Sequence, residues 1–153
     1  MELKEEIFIP ASRETVYAAL NDTEMLKACI PGCEELIRHS DTELEAKVVL
    51  KVGPVKARFA GKVTLNPYDP PRAFSLTGEG NGGAAGFAKG GADVVLEEVE
   101  GGTRLTYEAK ADIGGKLAQL GSRLVQGTAK KLSAKFFACL AEKVSEGEAA
   151  PAA

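Results

Sequence analysis

Few side chains in this sequence could do acid–base or nucleophilic work. There is one imidazole, His39, and there are three thiols, Cys29, Cys33 and Cys139. A catalytic pair needs the imidazole beside a hydroxyl or thiol. His39 lies in Ile37-Arg38-His39-Ser40-Asp41-Thr42, a polar run that reads as a strand end entering a turn. It is expected to be solvated, and no catalytic residue is assigned. Cys29 and Cys33 are four apart, but Pro31-Gly32 between them breaks any helix that could align them. A tetrahedral zinc site would need a fourth soft ligand that only His39 could offer. The expectation is three small, buried or half-buried thiols and no metal. An odd and sparse cysteine count also argues against a disulfide framework and for a reducing cytoplasm. Gly78-Glu79-Gly80-Asn81-Gly82-Gly83 matches the dinucleotide pattern G-x-G-x-x-G, with Glu97 and Glu98 near the expected acidic distance. That pattern works only if a helix N-terminus follows. Ala84 to Gly91 is too glycine-broken to supply one. Gly115-Lys116 precedes Leu117 rather than Ser or Thr, so a phosphate-loop reading fails too.

Composition narrows the classes further. The 153 residues carry 19 Lys+Arg against 22 Asp+Glu, for a net charge of -3. That excludes a general electrostatic case for nucleic acid. No run approaches the roughly 18 apolar residues of a membrane span. Met1-Glu2-Leu3-Lys4-Glu5-Glu6 has neither the basic patch nor the apolar stretch of a signal peptide. One domain over 1–146 is expected, with 147–153 as a disordered tail.

The elements that must position any site are legible from periodicity. Leu3, Glu5, Ile7 and Ile9 alternate with Lys4, Glu6 and Phe8 as a first strand. Ser12 caps a short helix to about Leu20, and Asn21-Asp22-Thr23 caps a second that Pro31-Gly32 stops. About six strands follow between Cys33 and Ile113. Each has one apolar and one charged face, so the sheet is antiparallel and covered on one side. Leu117, Leu120, Leu124, Thr128, Leu132, Phe136, Leu140 and Val144 then recur at helical spacing. They predict one helix of about 30 residues, roughly 45 Å long. The fold class is α+β: a curved antiparallel sheet wrapped around a long C-terminal helix, with two short helices after the first strand.

Small residues dominate the inward parity of the strands. Gly61, Gly78, Gly80, Gly86 and Gly90 share it with Ala57, Ala88, Ala92, Ala109 and Ala111, and the helix carries Gly121 and Gly127. Glycine inside a strand costs stability and fills no space. Two readings stand: bending with tight packing, or an unfilled apolar cavity. The cavity lining would comprise Leu26, Ile30, Leu50, Phe59, Gly61, Phe74, Leu76, Gly78, Gly80, Ala92, Leu105, Tyr107, Ala109, Leu117, Leu120, Gly121 and Leu124. Such a lining suits a flat or chain-like apolar ligand. Tyr107 is its expected polar handle, because a buried phenol must find a partner. From Lys116 to Glu146 six basic residues face two acidic ones, and Lys116, Arg123 and Lys130 recur every seven residues. They form either a solvated face or a docking edge for an acidic partner or anionic membrane.

Several segments carry a family likeness. Cys29-Ile30-Pro31-Gly32-Cys33-Glu34, the Gly53-Pro54-Val55 hairpin and the Gly78–Gly91 stretch resemble the CoxG-like family of carbon monoxide dehydrogenase subunits. So do Ala118-Gln119-Leu120-Gly121-Ser122-Arg123-Leu124, Ala129-Lys130-Lys131-Leu132 and Phe136-Phe137. The likeness spans about Met1 to Val144. It implies the START-like (SRPBCC) helix-grip fold, with a hydrophobic pocket between sheet and C-terminal helix. It also implies a non-enzymatic accessory protein of a carbon monoxide dehydrogenase-type molybdenum hydroxylase. Such a protein would carry an apolar ligand such as a quinone, with no covalent cofactor. The implied location is the cytoplasm, with peripheral contact at the inner face of the cell membrane. Two alternatives stand beside it. One is an assembly or membrane-recruitment factor without ligand carriage. The other is a START-like enzyme of cyclase type, which would need polar groups aimed into the pocket. By parity Arg58, Lys62, Glu79 and Glu108 point outward.

Overall fold

The computed structural model describes residues 1–149. The first strand β1 (Glu2–Ile9) leads into two short helices, α1 (Arg13–Leu20) and α2 (Thr23–Cys29). Both are capped by side chains the sequence marks. Ser12 Oγ accepts from the Thr15 amide at 3.2 Å, and the Asp22 carboxylate accepts from the Glu24 and Met25 amides. Each cap satisfies amides that the first helical turn leaves orphaned.

Six strands follow: β2 (Cys33–Arg38), β3 (Glu43–Val52), β4 (Val55–Asp69), β5 (Ala73–Asn81), β6 (Phe87–Val99) and β7 (Gly102–Gly114). They form one antiparallel sheet in the order β1-β7-β6-β5-β4-β3-β2, so β1 closes back beside the last strand. The sheet coils around α4 (Ser122–Ala149), as the one-sided patterning requires. Ile9, Val16, Leu96, Leu105 and Leu140 are fully buried where α1, the sheet and the C-terminal half of α4 converge. Tyr17 meets Phe74 edge-on at 5.7 Å there.

Three expectations need correction. The C-terminal helix is not one rod. A short α3 (Lys116–Gln119) ends at Leu120, and Gly121 takes φ +93° before α4 begins. Only glycine enters that region without steric cost. Lys116 therefore sits on a different helix from Arg123 and Lys130, and the seven-residue edge is interrupted. Second, the cysteines are not three separate thiols. Cys29, the last residue of α2, is disulfide-bonded to Cys139 of α4, and Cys33 is the free cysteine. The partners are 110 positions apart in sequence, so no local spacing could pair them. Third, Gly86 is not the inward-facing strand residue that parity suggests. A 3-10 turn (Gly83–Ala85) joins β5 to β6, and no helix N-terminus follows it. Helix α4 also runs to Ala149, into the expected 147–153 tail; the remainder of that tail lies outside the described residues. No helix among the described residues is long and apolar enough to cross a membrane.

Candidate functional site

Cross-strand register builds the floor of an apolar cavity that opens to solvent. Leu65, Leu76, Ala92, Ala109 and Leu3 lie opposite one another in turn across β4, β5, β6, β7 and β1. The row beside them runs Phe74, Val94, Tyr107 and Glu5. Opposed residues share a face, so both rows point at α4. The ceiling is Leu132, Ser133, Phe136 and Phe137, two adjacent positions repeated one helical turn later. Leu20 of α1, Leu26 of α2 and Ile30-Pro31 complete the wall, with Leu36, Leu44 and Ala46 at the β2–β3 side. The space is a cleft open to solvent at its mouth, with a volume of about 440 Å³. It exists because the floor row has alanines at its centre. Ala92 and Ala109 leave open the volume that Leu65 and Leu76 fill beside them.

Polar groups on this surface are few and specific. The Tyr107 hydroxyl and Ser133 Oγ are 2.6 Å apart and tie β7 to α4. The Tyr107 ring stacks on Phe137 at 5.6 Å and 21°, and Phe137 meets Phe136 edge-on. Burial pushes the Tyr107 phenol above its ordinary value of 10.0, with the Glu5 carboxylate adding to that shift and the Ser133 bond opposing it. The phenol is therefore a neutral hydrogen-bonding group at ordinary pH. In a Tyr–Ser pair one hydroxyl donates to the other, and the Glu5 carboxylate, which also hydrogen-bonds the phenol, competes for the remaining proton.

The structure sorts the sequence-derived residues into two sets. Leu26, Ile30, Phe74, Leu76, Ala92, Leu105, Tyr107 and Ala109 lie on the cavity wall. Leu50, Phe59, Gly61, Gly78, Gly80, Leu117, Leu120, Gly121 and Leu124 are not among its lining residues. Most of that second set lies toward the β3–β4 hairpin tip and the α3–α4 junction. A Cβ on Gly53 would meet Leu124 Cδ2 at 2.7 Å, and one on Gly82 would meet the Phe59 ring. Gly90 marks the sheet's bending: a Cβ there would collide with the Lys110 carbonyl of β7, so the two strands approach too closely for any side chain. Nothing lies within 4 Å of a Cβ built on Gly80. Glycine thus bends the sheet, while alanine makes the hollow. Lys116, Arg123 and Lys130 are exposed. His39 is exposed as well, 3.3 Å from Glu45.

Sequence reasoning missed the wall residues Leu3, Leu20, Pro31, Leu36, Leu44, Ala46, Val63, Leu65, Val94, Leu132, Ser133, Phe136 and Phe137. Most were on the inward parity already. The signal for Ser133 was a hydroxyl between Leu132 and Phe136 in an apolar stripe, opposite a tyrosine that needed a partner.

Residues 6–145 match the model of the CoxG family, which is described as a subunit of carbon monoxide dehydrogenase. No curated protein is similar enough in sequence to match. Among solved structures, a conserved protein from Geobacillus kaustophilus superposes with a TM-score of 0.90 at 27% identity, covering 95% of this chain and 96% of that one. A START superfamily protein from Mycobacterium smegmatis superposes at 0.70 and 12% identity, over 95% and 97% of the two chains. The Zhui aromatase/cyclase from Streptomyces sp. R1128 does so at 0.69 and 9%, over 98% and 96%. The last two likenesses establish the START-like fold and nothing about chemistry.

Proposed function

We propose, from the premise that the chain belongs to the CoxG family of carbon monoxide dehydrogenase, that it is a non-enzymatic accessory protein that shelters an apolar ligand. The ligand class we assign is a quinone, and the partner class is a carbon monoxide dehydrogenase-type molybdenum hydroxylase. The observation that carries this reading is the cavity of about 440 Å³, walled by aliphatic and aromatic side chains around a single Tyr107–Ser133 hydroxyl pair. A water occupies about 30 Å³ of liquid. On that scale the space takes roughly fifteen heavy atoms, the size of a naphthoquinone ring system. A long isoprenoid tail exceeds it and would have to leave through the mouth. A quinone carbonyl needs a donor, and a hydroxyl of the Tyr107–Ser133 pair would supply it in competition with the Glu5 carboxylate.

The family name describes an enzyme complex, and this chain contributes binding rather than oxidation chemistry in this reading. Electron transfer would occur at the partner, with the cavity controlling where the quinone is and how it is oriented.

Calorimetric titration with a short-chain naphthoquinone tests it, with the corresponding dimethylnaphthalene as comparison. Saturable binding of the quinone, and weaker binding of the hydrocarbon that lacks carbonyls, is the expected result. No heat and no thermal shift with either compound would overturn ligand carriage.

A further inference from the structure

Among the described residues one covalent cross-link joins distant elements, and it lies beside the cleft. Cys29 ends α2, and its bridge partner Cys139 lies in α4. Leu26, Ile30 and Pro31 line the cleft on the α2 side, and Leu132 and Phe136 line it on the α4 side. Leu132, Phe136 and Cys139 share one face of α4, at i, i+4 and i+7. The bridge therefore holds one wall of the cleft against the other.

The segment 23–32 is a strap fixed at both ends. At its start, Arg38 of β2 donates from Nη2 to the Asn21 carbonyl at 2.6 Å and from Nε to Thr23 Oγ1 at 2.9 Å. At its end, the Gly32 carbonyl accepts from the Val49 amide of β3 at 2.9 Å. Gly32 takes φ +74°, and a Cβ there would collide with the Val49 carbonyl, so the chain runs flush against β3. Between these anchors α2 has 7 residues, too few for a helix that is stable by itself. Among the described residues no ion pair joins α2 to α4. The polar approach between them is the Ala28 carbonyl, 3.8 Å from Cys139 Sγ itself.

The two sulfurs differ in access. Cys29 is 3% exposed, whereas Cys139 is half-buried. Lys135 and Lys143, both exposed, stand one helical turn either side of Cys139, with Glu142 as the neighbouring carboxylate at i+3. A reachable sulfur in a net positive setting favours attack by a thiolate, and accessible bridges belong to the labile class. Cys33 does not compete for the bridge. Its thiol donates to the Glu35 carbonyl at 3.5 Å, and burial pushes its pKa up against the smaller opposing effects of that bond and of Lys27.

From this geometry we infer that the Cys29–Cys139 bridge is a reversible thiol-exchange site that latches α2 against α4 beside the cleft. Its partner class is a dithiol reductant. A reductant thiolate attacks Cys139 Sγ, the S–S bond breaks, and Cys29 leaves as a thiolate that takes a proton. The reductant's second thiol attacks the mixed disulfide and closes its own disulfide, releasing Cys139 as a thiol. Two electrons and two protons pass to the protein, and the dithiol is oxidised. With the latch open, the strap moves on its two anchors and the α2 wall loosens around the occupant. The inference rests on the cleft taking an apolar ligand and not on that ligand being a quinone.

The test compares the full chain oxidised and equilibrated with dithiothreitol, with alkylation and mass spectrometry reading the bridge. Reduction is expected without loss of circular dichroism, and oxidised glutathione should restore the same bridge. Amide protection should be lost over 24–31 on reduction while β6 and β7 keep theirs, the mark of local opening. The neutral fluorophore N-phenyl-1-naphthylamine should bind the oxidised form about tenfold more tightly, within the usual range of coupling between two sites. By reciprocity, saturating fluorophore should make the bridge about tenfold harder to reduce. Cys33→Ser should keep the whole cycle, and Cys29→Ser with Cys139→Ser should reproduce the reduced form. A bridge that is reduced only when the protein unfolds overturns the inference and makes the bond a structural staple. A folded, reduced protein with unchanged protection at 24–31 overturns it as well, and so does equal fluorophore affinity in both forms. Binding by neither form counts against ligand carriage instead, and the protection at 24–31 then decides the latch.

Discussion

Filling the cavity from its floor is the most direct perturbation of the ligand-carriage reading. Ala92 lies at the centre of the floor row, partly buried, between Leu76 and Ala109. Ala92→Phe adds about six heavy atoms, each worth about 0.8 kcal/mol of displaced apolar contact. The ligand would lose about 5 kcal/mol, a roughly 10³–10⁴-fold rise in Kd. Overpacking normally costs about 1–3 kcal/mol, but here the ring enters existing space of about 440 Å³. We expect the net change in stability to stay within about 2 kcal/mol, or within about 8 °C in Tm for a domain of this size. The assay is quenching of tyrosine emission on quinone titration, readable because the sequence has 3 Tyr and no Trp. Thr77→Phe, exposed on the convex face one strand away, is the matched control and leaves the affinity unchanged. A folded Ala92→Phe protein that binds the quinone as tightly as the wild type would refute the reasoning, because the ligand would then sit elsewhere.

Two further perturbations follow from the same geometry. Tyr107→Phe removes the bond to Ser133 and should cost about 1–2 kcal/mol, lowering Tm by about 2–8 °C. Its pH signature is specific. The folded-state phenol lies above 10.0, chiefly through burial, so its contribution to stability is full below pH 10 and is lost as pH climbs through the raised folded value. Wild-type Tm should therefore fall more steeply above pH 10 than that of Tyr107→Phe; Tyr17, also raised by burial, contributes equally in both proteins. Equal slopes would place the alkaline loss in other groups. The disulfide between Cys29 and Cys139 closes a loop spanning 110 positions. Chain-entropy reasoning gives it on the order of 4–5 kcal/mol. Reductant, or Cys29→Ser with Cys139→Ser, should lower Tm by about 10–20 °C. Thiol titration of the unreduced, denatured protein should find the Cys33 thiol alone, and unchanged Tm on reduction would sink the pairing.

Local physics was written plainly in the residues. Ser12 and Asp22 were readable as caps because capping is satisfied within three residues of the cap itself. Strand parity was readable because the pleat alternates every residue, so Ala92, Ala109, Leu76 and Tyr107 could be placed on one face before any partner strand was known. The amphipathic stripe of the last helix was equally local, and with it the α+β class.

What depended on three dimensions was everything set by pairs far apart in sequence. Parity says which face a residue takes, but not how far along the helix it lies. Gly61, Gly78 and Gly80 therefore read like Ala92 and Ala109, although the helix side chains that complete the cavity sit only over the alanines. The register of α4 over the sheet decided that Ser133 meets Tyr107. Chain closure decided that α2 and α4 bring Cys29 to Cys139. A single positive φ at Gly121 divided one apparent helix in two, since a helical pattern continues through a break that turns the backbone without resetting the hydrophobic period.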